Sequence, residues 1–269
     1  MVTIRPGQAR QVFRDLETLP ARFRLADLRS LKPPRLSSSK IVGWSDLRLD
    51  SRLVKGLEEM NIDSPNEVQR LAIPEIVRHS SRVLLSAETG SGKTLAYLLP
   101  VMHKLKLEEA GGDVVPKRAS PRAAIIVPTA ELVHQVHAVA KLLSHSIKLR
   151  TLRLTGVMDR IEMSRIHESF PDLVVTTPSR FERSFAEGLL APRLVRHLVI
   201  DEADTLMTGE FRRDLERLYR LLPEEFNTAV ATSATITVAL KNAVSDFLPD
   251  VKVIVTRGLH RPVKSLSQS

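Results

Sequence analysis

From Leu47 onward, apolar residues fall into short continuous runs separated by segments with a helical period. Val83-Leu84-Leu85 precedes a helical stretch over Leu95–Leu107, and Ala124-Ile125-Ile126-Val127 precedes another over Glu131–Leu143. Leu149–Leu154, Leu173-Val174-Val175, Leu198-Val199-Ile200, Ala229-Val230-Ala231 and Val251–Val255 follow, with helical candidates between most of them. Runs that are continuous rather than alternating suit strands covered on both faces. Strand and helix repeating at this spacing predict an α/β fold, a parallel sheet with helices on both faces and right-handed crossovers. Residues 108–122, with Gly111-Gly112, Lys117-Arg118 and two prolines, read as a surface loop. Ligands of such sheets bind at the carboxyl ends of the strands. The residues that follow each run therefore carry the functional information.

The first 40 residues lack any sustained period and contain Pro33-Pro34 and Ser37-Ser38-Ser39. They read as a largely irregular extension with one short helix around Gln8–Leu16, ahead of a domain over residues 41–256 and a polar tail over 257–269. That extension carries nine Lys/Arg against three Asp/Glu, leaving 31 and 28 of the chain's 40 and 31 for the other 229 residues. Most of the formal +9 charge is thus an appended arm. A basic arm suits an anionic partner, nucleic acid or a membrane surface, and equally a solvated tail. It is Arg-rich and acid-poor without a secretory pattern, which favours an intracellular, mitochondrial location. No apolar run approaches the ~18 residues of a membrane span, so no membrane-embedded role is expected. The absence of cysteine excludes disulfides, thiolate metal sites and a cysteine nucleophile. At 4% aromatic the chain offers no broad base-stacking platform.

After Val83-Leu84-Leu85-Ser86 comes Ala87-Glu88-Thr89-Gly90-Ser91-Gly92-Lys93-Thr94 and then a helix. This is a phosphate-binding loop with Ala87 at its first glycine position. Glycines let backbone N–H groups converge on phosphate oxygens, and the helix N-terminus adds its positive dipole end. Lys93 is placed to reach the β- and γ-phosphates, and Thr94 to offer its hydroxyl to Mg²⁺. The competing explanation is a Gly/Ser turn before a helix. His197-Leu198-Val199-Ile200 ends in Asp201-Glu202-Ala203-Asp204. A carboxylate at the tip of a buried strand, Asp201, can hold the same Mg²⁺, directly or through water, while Glu202 orients or deprotonates a water. An acidic helix N-terminus would explain the acids alone but not their partnership with the loop. The two motifs together predict an NTPase.

Asp201-Glu202-Ala203-Asp204 spells D-E-A-D. With the phosphate loop upstream and Ser233-Ala234-Thr235 downstream, the chain resembles the first RecA-like domain of DEAD-box RNA helicases from about Trp44 to about Thr256. The resemblance implies ATP with Mg²⁺, and RNA held by sugar and phosphate with little sequence reading. It implies a Q motif in Asn61-Ile62-Asp63-Ser64-Pro65-Asn66-Glu67-Val68-Gln69, with Gln69 reading adenine and Trp44 as the upstream aromatic; Trp44 as plain core is the alternative. Asn61-Ile62 and Asn66 depart from the family's Gly-Phe and Thr. It implies that Ser233 and Thr235 bond to Asp204 and couple nucleotide to RNA, where a helix cap near Thr237 is the plainer reading.

The resemblance places RNA at Pro128, Thr129, Gly156, Thr177, Pro178 and Arg180. Ala130 stands where the family has arginine, Val157 where it has a second glycine, and Ser179 where it has glycine. One lost arginine contact predicts weaker binding and a salt slope shallower by about 0.7. His134 and His137 lie three apart on a helix without a third ligand and read as surface; Lys104, Lys106, Lys141 and Lys148 also read as solvated. Family members that unwind RNA use a second RecA-like domain, which is expected outside this chain, with residues 257–269 starting the linker. The expected function is an ATP-dependent RNA helicase, very weak as an isolated domain, with ribosomal or RNP assembly partners. A ribosome-assembly scaffold that uses the helicase fold, or a DNA translocase, is the alternative.

Overall fold

The computed structural model describes residues 43–112, 116–156, 160–223 and 226–256. The basic arm, its expected helix over Gln8–Leu16, Val157 and the tail over 257–269 lie outside the described residues. A 3-10 turn (Trp44–Leu47) leads into α1 (Ser51–Glu59) and α2 (Glu67–Ile76), then β1 (Ser81–Ser86), α3 (Lys93–Ala110), β2 (Ala123–Ile126) and α4 (Ala130–Ile147). The chain continues through β3 (Thr151–Leu154), α5 (Arg160–Glu168), β4 (Leu173–Thr176), α6 (Pro178–Ala186) and β5 (His197–Ile200). It ends with α7 (Ala203–Thr208), α8 (Arg212–Leu221), β6 (Thr228–Ser233), α9 (Val238–Phe247) and β7 (Lys252–Val255). Each expected strand is present, shifted by a residue or two at its ends.

The seven strands form one sheet in the order β3-β4-β2-β5-β6-β1-β7, with every neighbouring pair parallel. Alternate residues of a strand point to opposite faces, and here both faces are apolar. Val83, Ile125, Val175, Val199 and Val230 pack with α1–α4, whereas Leu84, Ala124, Val174, Leu198 and Ala229 pack with α5–α9. This is the expected sheet with helices on both sides. Helix starts follow side-chain caps: Asp50 for α1, Asn66 for α2, Thr129 for α4 and Thr237 for α9 each accept an amide of the first turn.

Three expectations need correction. The 108–122 stretch is not a surface loop throughout. Its first residues complete α3, and Ala119, Ser120 and Arg122 are buried. Burial follows charge pairing: the Arg122 guanidinium meets Glu109 Oε1 and Asp172 Oδ1, both at 2.8 Å, and donates to the Leu105 carbonyl. Lys104 is not solvated either, being 7% exposed. Its ammonium lies among the Arg78 and Asn227 carbonyls and the Ser81 and Thr228 hydroxyls, at 2.5–3.4 Å. Lys106 is half-buried, while Lys141 and Lys148 are exposed. Trp44 is core, with 3% exposure and its indole N–H donating to the Ile62 carbonyl at 2.8 Å. A ring so enclosed presents no face to a base.

Candidate functional site at the carboxyl ends of the strands

The phosphate-loop segment turns from β1 into α3. Ala87 is fully buried and its amide donates to the Ser233 carbonyl at 3.1 Å, so an alanine fits where a glycine is usual. Glu88, Thr89 and Gly90 are exposed, and Ser91, Gly92, Lys93 and Thr94 are partly so. Gly90 and Gly92 have φ of 78° and 87°, the left-handed region that disfavours side chains. At Gly92 a Cβ would also sit 2.6 Å from Asn66 Nδ2 and 2.7 Å from Gln69 Nε2. The left-handed φ favours glycine there, and any side chain would also have to push aside the Asn66 and Gln69 amides.

That approach is a set of hydrogen bonds. Asn66 Nδ2 donates to the Ser91 carbonyl at 2.7 Å, and Gln69 Nε2 to the Gly92 carbonyl at 3.3 Å. Gln69 Oε1 accepts the Asn66 amide at 2.9 Å while Asn66 Oδ1 accepts the Gln69 amide at 3.1 Å, a reciprocal capping box. A carboxamide has two N–H donors and two acceptor lone pairs, so one of each remains uncommitted on Gln69.

Lys93 Nζ donates to the Ala87 and Glu88 carbonyls at 2.7 and 2.9 Å. Burial pushes its ammonium pKa down, opposed by the nearby charges of Asp201, Asp204 and Glu202. The loop lysine and the three acids, far apart in sequence, therefore share one electrostatic site. Asp201 is 8% exposed. Its Oδ2 accepts the Tyr97 hydroxyl at 2.8 Å, and its Oδ1 accepts the Glu202 amide at 3.0 Å and the Thr232 hydroxyl. Glu202 sits in left-handed backbone, φ 53° and ψ 50°, a conformation that non-glycine residues adopt rarely and at a cost. Burial raises its carboxyl pKa, with Asp201 and Asp204 adding to the shift and Lys93 opposing it.

Asp204 Oδ2 accepts the Thr235 hydroxyl at 3.0 Å, joining α7 to the exit of β6. Ser233 does not reach Asp204. Its hydroxyl donates to the Thr235 carbonyl at 2.6 Å and accepts the Thr235 amide at 3.0 Å, closing a local turn.

Oxygen donors lie on Asp201 and Glu202 just after β5 and on Thr94 in the first turn of α3, the helix whose Tyr97 reaches Asp201. Among the described residues no three acidic or histidine side chains make an all-protein metal cage. Such a donor set fits Mg²⁺, which takes one or two carboxylates and completes its shell with phosphate and water.

Beside this cluster, at the carboxyl ends of β2, β3 and β4, lie the other expected loops. Thr129, Ala130 and Gly156 are exposed, Thr177 is half-buried, and Pro128 and Pro178 are buried. Arg180 departs from expectation: it is 8% exposed and its Nη1 pairs with Glu187 Oε2 at 3.0 Å. It lies on the buried side of α6 with Phe181, so its charge is committed within the protein. His134 Nδ1 lies 3.2 Å from Arg153 Nη1, and His137 Nε2 lies 3.4 Å from Thr151 Oγ1. Sequence reasoning missed Tyr97 and Thr232, which looked like one more helix position and one more strand position. Their signal is spacing: Tyr97 is one helical turn after Lys93, and Thr232 directly precedes Ser233.

Comparison with known proteins agrees with this geometry. The sequence model of the DEAD/DEAH box helicase family matches residues 66–243, about two thirds of the chain. DEAD-box ATP-dependent RNA helicase 39 of Arabidopsis thaliana is 31% identical over 268 residues, covering 90% of this chain and 43% of that protein. The mitochondrial ATP-dependent RNA helicase mrh4 of Aspergillus clavatus is 32% identical over 259 residues, covering 78% of this chain and 40% of that protein. The chain thus spans less than half the length of these curated relatives. In fold it is similar to S. cerevisiae Dbp5 bound to RNA and ADP BeF3, with a TM-score of 0.67 at 22% identity over 79% of this chain and 51% of that one. Sequence match, sheet order and the spelling Asp201-Glu202-Ala203-Asp204 agree: the chain belongs to the DEAD/DEAH box helicase family.

Proposed function

We propose that this chain is the ATP-binding domain of an ATP-dependent RNA helicase. The observation that carries the reading is the convergence of Lys93 with Asp201, Glu202 and Asp204 at one end of the sheet, beside the exposed loops after β2, β3 and β4. The names of the curated relatives support it. The domain spans residues 41–256, preceded by the basic arm, and works with a second RecA-like domain outside this chain.

ATP binds with its phosphates over residues 87–94, where loop amides and the α3 N-terminus offer donors. Lys93 exchanges the Ala87 and Glu88 carbonyls for phosphate oxygens. Thr94 and Asp201 would hold Mg²⁺, whose charge would offset that of the phosphates when bound. Glu202, its proton affinity already raised, takes a proton from the attacking water. Gln69 has one N–H and one lone pair to spare for an adenine edge, but it is 3% exposed, so reading adenine requires α2 and the phosphate loop to part at Asn66 and Gly92 on binding. The Thr235–Asp204 bond carries the state of the nucleotide towards the RNA loops, where Thr129, Gly156 and Thr177 contact sugar and phosphate. With Ala130 in place of an arginine and Arg180 committed to Glu187, RNA affinity depends on the second domain and the basic arm. RNP assembly, ribosomal above all, is the proposed setting, and the mitochondrion the proposed compartment, as for mrh4. Among the described residues no helix is long and apolar enough to cross a membrane.

Glu202→Gln tests the assignment. In the whole protein ATP binding should persist while RNA-stimulated hydrolysis falls about 10²-fold or more. Unchanged turnover removes Glu202 from the chemistry. Normal ATP binding with no stimulation by any RNA would instead favour the scaffold.

A further inference from the structure

Tyr97 is fully buried one helical turn beyond Lys93, and a buried phenol needs a partner for its hydroxyl. The partner is the Asp201 carboxylate, at 2.8 Å from its Oδ2. On the other side, parallel pairing sets Ile200 against Ala231, so the next residues, Asp201 and Thr232, are neighbours across β5 and β6. Thr232, also fully buried, gives its hydroxyl proton to Asp201 Oδ1, where the Glu202 amide also donates. A carboxylate has about four acceptor sites. Three are taken, two on Oδ1 and one on Oδ2, and the remaining one lies on Oδ2. The carboxylate is thereby fixed in rotation with one directed lone pair free.

Resting on the ATP–Mg²⁺ reading above, we propose that Tyr97 is a positioning residue that aligns Asp201 for a divalent cation, with Thr232 fixing Asp201 from the sheet. Neither side chain touches nucleotide. Each acts through Asp201, and the effect is on how the cation is held rather than on how the phosphates are bound.

The test is the Mg²⁺ dependence of fluorescent-ATP binding to the 269-residue chain, compared for the parent, Tyr97→Phe, Thr232→Val and Thr232→Ser. Tyr97→Phe and Thr232→Val should each raise the Mg²⁺ concentration at half-maximal effect about tenfold, as expected for a hydrogen bond to a charged group. Binding in EDTA should stay at the parental level, Mn²⁺ should narrow the gap, and Thr232→Ser should restore parental behaviour. Parental Mg²⁺ dependence in both variants overturns the proposal, as does equal weakening with and without metal, which marks a packing role. Should Tyr97→Phe fail to fold, the Thr232→Val and Thr232→Ser pair decides alone. A parent chain that binds no ATP in Mg²⁺ would refute the nucleotide reading itself, a result distinct from a parent that binds and variants that match it.

Discussion

Asn66 shows how one side chain can serve two elements. Its Oδ1 caps α2 while its Nδ2 holds the Ser91 carbonyl of the phosphate loop. Asn66→Ala removes both, and loss of the cap should lower stability by about 1 kcal/mol. Asn66→Ser should recover most of that in urea denaturation because a serine hydroxyl also caps. It lacks the reach to Ser91, so weakened ATP binding should persist in both variants. Glu202 is a second case in which backbone and chemistry coincide. Its left-handed conformation stores strain that β5, packed on both faces, can over-determine. The spelling of its motif was legible in sequence, but the strain and the raised carboxyl pKa were not. Both depend on where Asp201 and Asp204 end up.

At the level of elements, α3 spans the sheet from the nucleotide end to the opposite edge. Its first turn carries Lys93 and Thr94, and its last turns carry Lys104, Glu108 and Glu109 into a buried charge network. Glu108 Oε1 accepts His197 Nε2 at 2.9 Å and Asn227 Nδ2 at 3.1 Å, and Arg122 binds Glu109 and Asp172. The network ties α3 to the starts of β2, β4, β5 and β6. Removing one member of a buried ion cluster strands the others without compensation. Arg122→Met should therefore destabilise by about 3–5 kcal/mol in urea denaturation, whereas a solvated loop arginine would change stability by less than about 0.5 kcal/mol. Length and type of the long elements were readable because their apolar period runs through many turns. The buried part of the 108–122 stretch was not, since glycine, proline and paired charges look the same in a solvated loop as in a charge cluster.

For the molecule as a whole, acid should be a specific hazard. His103 Nδ1 accepts the Asp50 amide at 3.1 Å, and burial pushes its pKa down to about 4. Burial also lowers the pKa of His197. At these two histidines the unfolded chain binds protons near pH 6.5 that the native state refuses, so their contribution to stability is full above that pH and falls as pH drops towards 4. The loss through His103 is at most about 3 kcal/mol. Urea midpoints should fall between pH 7.5 and 5, and His103→Gln should flatten that dependence. Equal slopes in parent and variant would place the acid sensitivity elsewhere.

The layered α/β architecture, the phosphate loop and the D-E-A-D acids follow from local information. Period, glycine placement and a strand ending in carboxylates each act within a few residues. Side-chain environment does not. Lys104 and Lys141 are the same residue on neighbouring helices, yet one is buried among four oxygens and the other is exposed. Trp44 and Arg180 likewise match their motif positions but are enclosed, because the packing around a position and not its identity sets its access to a ligand. Tyr97, Asp201 and Thr232 meet only when the sheet assembles. Parallel register brings together residues from distant stretches of chain, and no local pattern in the sequence records which of them will touch.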